Sequence, residues 1–246
     1  MNFKLIQRLI LLVLLVGLGL WSYSHSSAIA EESSFKDSEG MECWVYSPSK
    51  IDPSKRYWLV VGVHGYRGIG KGAAGMKHLA AEKDSDFIVI GPSFENGYQA
   101  APEKDNKKLL ELVARMKESY NIHDRFLLYG FSGGSQFAHR YLFKHPETLA
   151  ACSAHSGGTW ELVVPASIGG VPSTFSCGTE DKGKAYAGSP YTRIDFFTEF
   201  SKRVEKRGFE GVEMKSIVGV GHQASPEVMA MTMRCFDRGM LKFANK

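Results

Sequence analysis

Arg125–His145 reads RFLLYGFSGGSQFAHRYLFKH, and its interpretation decides the rest of the chain. A short apolar run, Phe126-Leu127-Leu128-Tyr129, leads into Gly130-Phe131-Ser132-Gly133-Gly134. A helix-like segment, Ser135 to Lys144, follows at once. The pattern predicts strand, sharp turn and helix, with a serine at the apex and a glycine two residues to either side. A residue at so tight a turn takes a strained backbone conformation, and strand and helix pass so close that flanking side chains larger than hydrogen collide. The turn lifts the Ser132 hydroxyl above the carboxyl edge of the sheet, with a helix N-terminus aimed at it.

Outward from that turn, apolar segments alternate with helical ones. Tyr57 to Val63 is a continuous β-branched and aromatic run, as expected of a strand covered on both faces. Phe87 to Ile90, Leu149 to His155, Val171 to Cys177 and Val212 to Val218 are further strands. Met41 to Tyr46 reads as an edge strand, and Glu31 to Gly40 as a loose polar lead-in. Helices are expected at Gly72–Lys83, Glu103–Tyr120, Tyr191–Lys206 and Pro226–Phe243. Such alternation predicts an α/β fold, with a mostly parallel sheet and helices on both faces. No linker or repeat interrupts 31–246, which reads as one domain.

The N-terminus has another character. Lys4 and Arg8 precede the apolar run Leu9–Leu20, and Ala28-Ile29-Ala30 closes the segment. A basic stretch, a short apolar stretch and an A-x-A site predict a signal peptide over residues 1–30 and a secreted or periplasmic protein. The apolar run is shorter than the ~20 residues of a spanning helix. An uncleaved N-terminal anchor facing outside the cytoplasm is the alternative, and the one route to a membrane. The chain carries four cysteines, Cys43, Cys152, Cys177 and Cys235. An even number in an exported chain suggests disulfides, with Cys152–Cys177 the first pair to expect and four buried free thiols the alternative.

Composition narrows the function. The 246 residues are 43% hydrophobic with a net charge of +4, without a basic tract or basic-aromatic interleaving, so no nucleic-acid partner is expected. No cysteine or histidine spacing suggests a metal, and no cofactor is expected. Gly65 to Lys71 fits G-x-x-x-x-G-K, but Gly72 stands where a P-loop needs Ser or Thr.

A serine nucleophile needs a base to take its proton. Of eight histidines, three stand at strand ends, His64, His155 and His222. His222 follows the last strand in a glycine-rich loop free to reach over the sheet edge, and is the chosen base. The imidazole needs an orienting carboxylate. Cys177-Gly178-Thr179-Glu180-Asp181 leaves a strand end, and Asp181 is favoured over Glu180. An oxyanion needs fixed donors, for which backbone amides serve well. Gly133, after the serine, and Tyr66, in the loop after the Val63 strand, are the expected amides. His155 and Tyr98 are candidates for the pocket wall.

These motifs resemble the α/β-hydrolases, from the HGYRG loop through GFSGGS and CGTED to GVGH, in the chain order Ser, Asp, His of that fold. YNIHDRFLLYGFSGGSQFAHRYLFKHPETLAACSAHSGG is similar to secreted polyhydroxybutyrate-depolymerase-like and feruloyl-esterase-like serine esterases. The resemblance implies a serine hydrolase that cleaves small or polymeric carboxylic esters through an acyl-enzyme. The short separation of Ser132 from Asp181 leaves little room for a cap domain. A peptidase or acyltransferase using the same three residues, or a non-catalytic binding module, are the rival readings.

Overall fold

The structure, a computed structural model, describes residues 30–99 and 103–244. The expected signal segment therefore lies outside the described residues, apart from Ala30. Eight strands form one sheet: β1 (Glu31–Lys36), β2 (Glu42–Ser47), β3 (Trp58–Val63), β4 (Phe87–Pro92), β5 (Phe126–Phe131), β6 (Leu149–His155), β7 (Ser173–Gly178) and β8 (Val212–Ile217). Their spatial order is β1-β2-β4-β3-β5-β6-β7-β8. The first two strands are antiparallel additions, and every pair from β4 to β8 is parallel.

Among the described residues, four α-helices accompany the sheet: α1 (Glu103–Ser119), α2 (Gly133–Lys144), α3 (Arg193–Glu205) and α4 (Pro226–Phe243). Burial on two faces follows from the strand sequences. In β3, Leu59, Val61 and Val63 point to one side, where they join Leu109 and Leu112 of α1, Phe137 and Tyr141 of α2, and Phe197 and Phe200 of α3. Trp58 and Val60 point to the other, toward Met76, Leu79 and Phe236. Both faces of the strand are thus dry, which is why its sequence shows no polar alternation.

Three expectations are corrected. Glu31–Gly40 is not a loose lead-in. Its first six residues form β1, paired in full register with β2, so β2 is not an edge. EESSFK shows no apolar alternation because both its faces meet solvent. Backbone pairing holds it, with Phe35 under the Arg115 guanidinium as its side-chain anchor. Residues 73–81 are 3₁₀ rather than α, broken at Ala74 and Gly75, both with positive φ. The Cys152–Cys177 pair does not form, and all four cysteines are free and buried. Cys152 lies opposite Ser173 in the β6–β7 register. Cys177 is four positions farther along, about 13 Å at ~3.3 Å per residue, against a Cα limit near 7 Å for a disulfide.

The connections that follow β6 and β7 on the carboxyl side of the sheet are short. Residues 156–172 hold a single 3₁₀ segment, Ala166–Gly170, and residues 179–192 hold no helix or strand. Neither is large enough to form a cap over Ser132.

Backbone-to-backbone packing positions the turn at Ser132. A Cβ added to Gly134 would lie 2.1 Å from the Val63 carbonyl oxygen, and one on Gly130 would lie 2.2 Å from the Gly134 oxygen. β3, β5 and the first turn of α2 thus touch without intervening side chains.

Two measurements check this description. Unfolded in denaturant without reductant, the chain should react with Ellman's reagent at four thiols, and the folded chain at none. Gly134→Ala should lower the melting temperature by roughly 5–10 °C, as expected for an overpacked, rigid contact in a domain of this size.

Candidate active site

Ser132 sits between β5 and α2 with φ 57° and ψ −119°. A non-glycine residue at positive φ is strained, and persists only where the surroundings overdetermine it. The surroundings here are the glycine contacts just described and a hydrogen bond from the Ser132 amide to the His155 carbonyl, 2.9 Å. The turn leaves the serine side chain partly exposed above the sheet edge.

His222 reaches Ser132 from the loop after β8. Its Nε2 lies 2.9 Å from Ser132 Oγ. Its Nδ1 lies 2.7 Å from Asp181 Oδ2. An ionised carboxylate only accepts, so Nδ1 carries the proton and Nε2 is left to accept from the serine hydroxyl. The Phe131 ring, 5.0 Å from the imidazole centroid, flanks it. Asp181 is 1% exposed. Burial pushes its carboxyl up, but the hydrogen bond and charge of His222, with the Arg193 guanidinium 3.2 Å from Oδ1, outweigh burial and hold it below the usual carboxylate range. Its neighbour Glu180 turns to solvent and pairs with Lys182 at 2.7 Å.

The two expected amides lie side by side. A Cβ on Gly133 would come within 2.7 Å of the Tyr66 amide nitrogen and 3.3 Å of Tyr66 Cα. The Tyr66 amide has no hydrogen-bond partner among the described residues. Gly133 begins α2, so its N–H has no intrahelical acceptor. Tyr66 itself is 55% exposed at the mouth. The preceding His64 is buried and its Nδ1 is satisfied by the Gly65 carbonyl at 2.7 Å. Lys71, the last residue of the P-loop-like stretch, turns away to Glu32 and the Trp44 ring.

Both pocket-wall candidates are buried close behind the site, Tyr98 with its hydroxyl 3.0 Å from where a Cβ on Gly133 would lie. Tyr98 is 1% exposed, and its hydroxyl donates to the His64 carbonyl, pinning the loop that carries Tyr66 from behind. His155 is fully buried. Its ring contacts Ser153 Oγ and Ser176 Oγ, each at 2.6 Å, and Thr232 Oγ1 at 3.1 Å. Burial pushes its imidazole down to about 3, so it is a neutral spacer between β6, β7 and α4. A strand-end position left both outcomes open for His155, and only the hydroxyls on the neighbouring strand and helix decide between them. Arg193 was not visible as a site residue, because at the start of an amphipathic helix it reads as a solvated cation.

Among the described residues no group of three or more His, Cys, Asp or Glu side chains could hold a metal ion, and no helix is long and apolar enough to cross a membrane.

Asp181 also predicts a pH signature. Its folded carboxyl titrates below the unfolded value, so the stability it contributes is present above about pH 4 and lost as pH falls through the folded value. Asp181→Asn should therefore lower the melting temperature at pH 7, and the difference from the parent protein should shrink as the pH falls below about 4.

Compared with known proteins, the sequence matches no protein-family model and no curated protein. The fold has many counterparts among solved structures. A thermostable esterase aligns with TM-score 0.66 at 17% identity over 88% of this chain, which spans 63% of that protein. A CE1 ferulic acid esterase from Anaeromyces mucronatus, in complex with ferulic acid, aligns with TM-score 0.67 at 15% identity over 89% of this chain and 94% of that one. A dienelactone hydrolase from Klebsiella pneumoniae aligns with TM-score 0.59 at 16% identity over 89% and 99%. With this strand order, the helices on both faces and these neighbours, the chain has the α/β-hydrolase fold.

Proposed function

We propose that the protein is a serine hydrolase that cleaves carboxylic esters through an acyl-enzyme. The observation that carries this reading is the unbroken hydrogen-bond line from Ser132 Oγ through the His222 ring to Asp181, 2.9 Å and 2.7 Å long. In this reading His222 Nε2 takes the hydroxyl proton as Ser132 Oγ attacks the ester carbonyl. Asp181 fixes the tautomer and balances the imidazolium that forms. The oxyanion is held by the Tyr66 and Gly133 amides, which are oriented before charge develops. The protonated His222 then gives its proton to the departing alcohol. Water, deprotonated by the same ring, releases the acid and restores the serine.

Fold neighbours named as esterases favour an ester over an amide. The short connections around Ser132 favour an open site that admits a bulky or polymeric ester, as does the exposure of Tyr66 beside Gly133. The N-terminal segment favours action outside the cytoplasm.

Hydrolysis of p-nitrophenyl acetate tests the reading. Ser132→Ala should reduce kcat/KM by about 10⁴-fold or more, and Asp181→Asn by about 10²–10⁴-fold. A fluorophosphonate should label the parent protein and not Ser132→Ala. Turnover unchanged in Ser132→Ala would overturn the assignment. A panel of acyl esters, anilides and acyl acceptors then separates esterase from peptidase and transferase.

A further inference from the structure

We propose that Arg193 is a positioning residue that holds the Asp181 carboxylate in register and tempers its charge, so that His222 stays a free base at lower pH. The inference rests on the roles proposed above for Ser132, Asp181 and His222.

The two oxygens of Asp181 are divided between two donors, the His222 imidazole and the Arg193 guanidinium. Oδ2 takes His222 Nδ1, and Oδ1 takes Arg193 Nη1 at 3.2 Å. The carboxylate is 1% exposed, whereas the Arg193 side chain is 25% exposed. Water therefore reaches the guanidinium but hardly the carboxylate, and protein groups must satisfy the latter.

Arg193 is the first residue of α3. A cation there opposes the helix dipole, so its own helix does not favour it. Three contacts nonetheless hold it over the acid. Its amide donates to the Gly183 carbonyl at 2.9 Å, and the Ile194 amide reaches the Asp181 carbonyl at 3.4 Å. Thr192 and Asp195 close a capping box around the same turn. The side chain then lies against bare backbone. A Cβ on Gly183 would fall 2.0 Å from Arg193 Nη1.

The sign of the effect follows from Coulomb's law. Asp181 alone would favour the imidazolium strongly. A guanidinium on its far oxygen offsets part of that charge and repels a proton on His222. The other groups around the pair do not compensate. Cys177 Sγ, 3.8 Å from Oδ2, is a thiol pushed up to about 12, chiefly by burial. Glu180 and Lys182 neutralise each other in solvent. The elbow presents Phe131 and the uncharged Ser132 to the ring. Arg193 is therefore the cation that sits directly on the Asp181–His222 pair.

Two measurements on the full-length protein test this. The pH dependence of kcat/KM for p-nitrophenyl acetate is compared in the parent protein, Arg193→Met, Arg193→Lys and Gly183→Ala. The acidic limb should move up by about one pH unit in Arg193→Met. In Arg193→Lys it should return at least halfway, because the charge is restored. Gly183→Ala should move it in the same direction as Arg193→Met, because the methyl displaces the guanidinium without removing it. The second measurement titrates the His222 ring by NMR in a Ser132→Ala background, assigned with His222→Gln, where turnover plays no part. Its midpoint should rise by the same amount when Arg193→Met is added. An unmoved midpoint in protein with native thermal stability overturns the inference and leaves the proposed triad intact. Persistent turnover in Ser132→Ala overturns the triad, whereas the NMR midpoint still decides what Arg193 does.

Discussion

The site depends on one steric constraint, the absence of side chains where β3, β5 and α2 meet. Gly134 lies against the Val63 carbonyl and Gly130 against the carbonyl of Gly134, at distances no Cβ could share. Because the three backbones touch, Ser132 has no room to relax from φ 57°. The strain has a use. It points the hydroxyl away from the sheet, and it leaves the first free N–H of α2 beside the Tyr66 amide. The same contact brings the loop after β3 alongside, so the Tyr66 and Gly133 amides are neighbours for the same reason that the serine is strained.

Around that apex, the histidines differ in how their ring nitrogens are satisfied. His155 and His139 are buried histidines whose imidazoles burial pushes down to about 3. His155 is surrounded by hydroxyls. His139 donates from Nδ1 to the Ser135 carbonyl and accepts the Glu161 amide at Nε2. Neither meets a charge that could stabilise an imidazolium. His222 is a third exposed and faces a carboxylate. Residue type and strand-end position are shared by His155 and His222. What divides them is whether an anion waits on the far nitrogen.

Much of the layout was legible because it is written in short-range patterns. The continuous apolar runs of β3 to β6 mark strands dry on both faces, and the glycine spacing about Ser132 marks a contact that tolerates no side chain. His222 and Asp181 could be chosen because loops leaving the carboxyl ends of parallel strands converge on one edge. The illegible parts are those where a partner distant in sequence decides. β1 has no apolar stripe, since both its faces meet solvent and its pairing with β2 is mainly backbone, joined by a Ser34–Glu42 hydrogen bond. Cys152 and Cys177 do lie on adjacent strands, but register separates them, and register is not written in either strand alone. Tyr98 lies in the expected neighbourhood, yet its hydroxyl is spent on the His64 carbonyl behind the loop.

Arg193 shows most clearly why the electrostatics escape a sequence reading. Its position in the chain identifies it only as the start of an amphipathic helix, where a cation is locally unfavourable. Its meaning comes from Gly183, which clears a path for the guanidinium, and from Asp181, whose second oxygen would otherwise be buried without a strong donor. Removing water from a carboxylate makes each remaining partner count for more. A site that buries its acid almost completely therefore cannot be indifferent to the nature of the second donor. A neutral donor would leave the full negative charge for the imidazole, and a guanidinium leaves only part of it. With the roles proposed for Asp181 and His222, the choice of donor at that oxygen sets how strongly the acid pulls on the base.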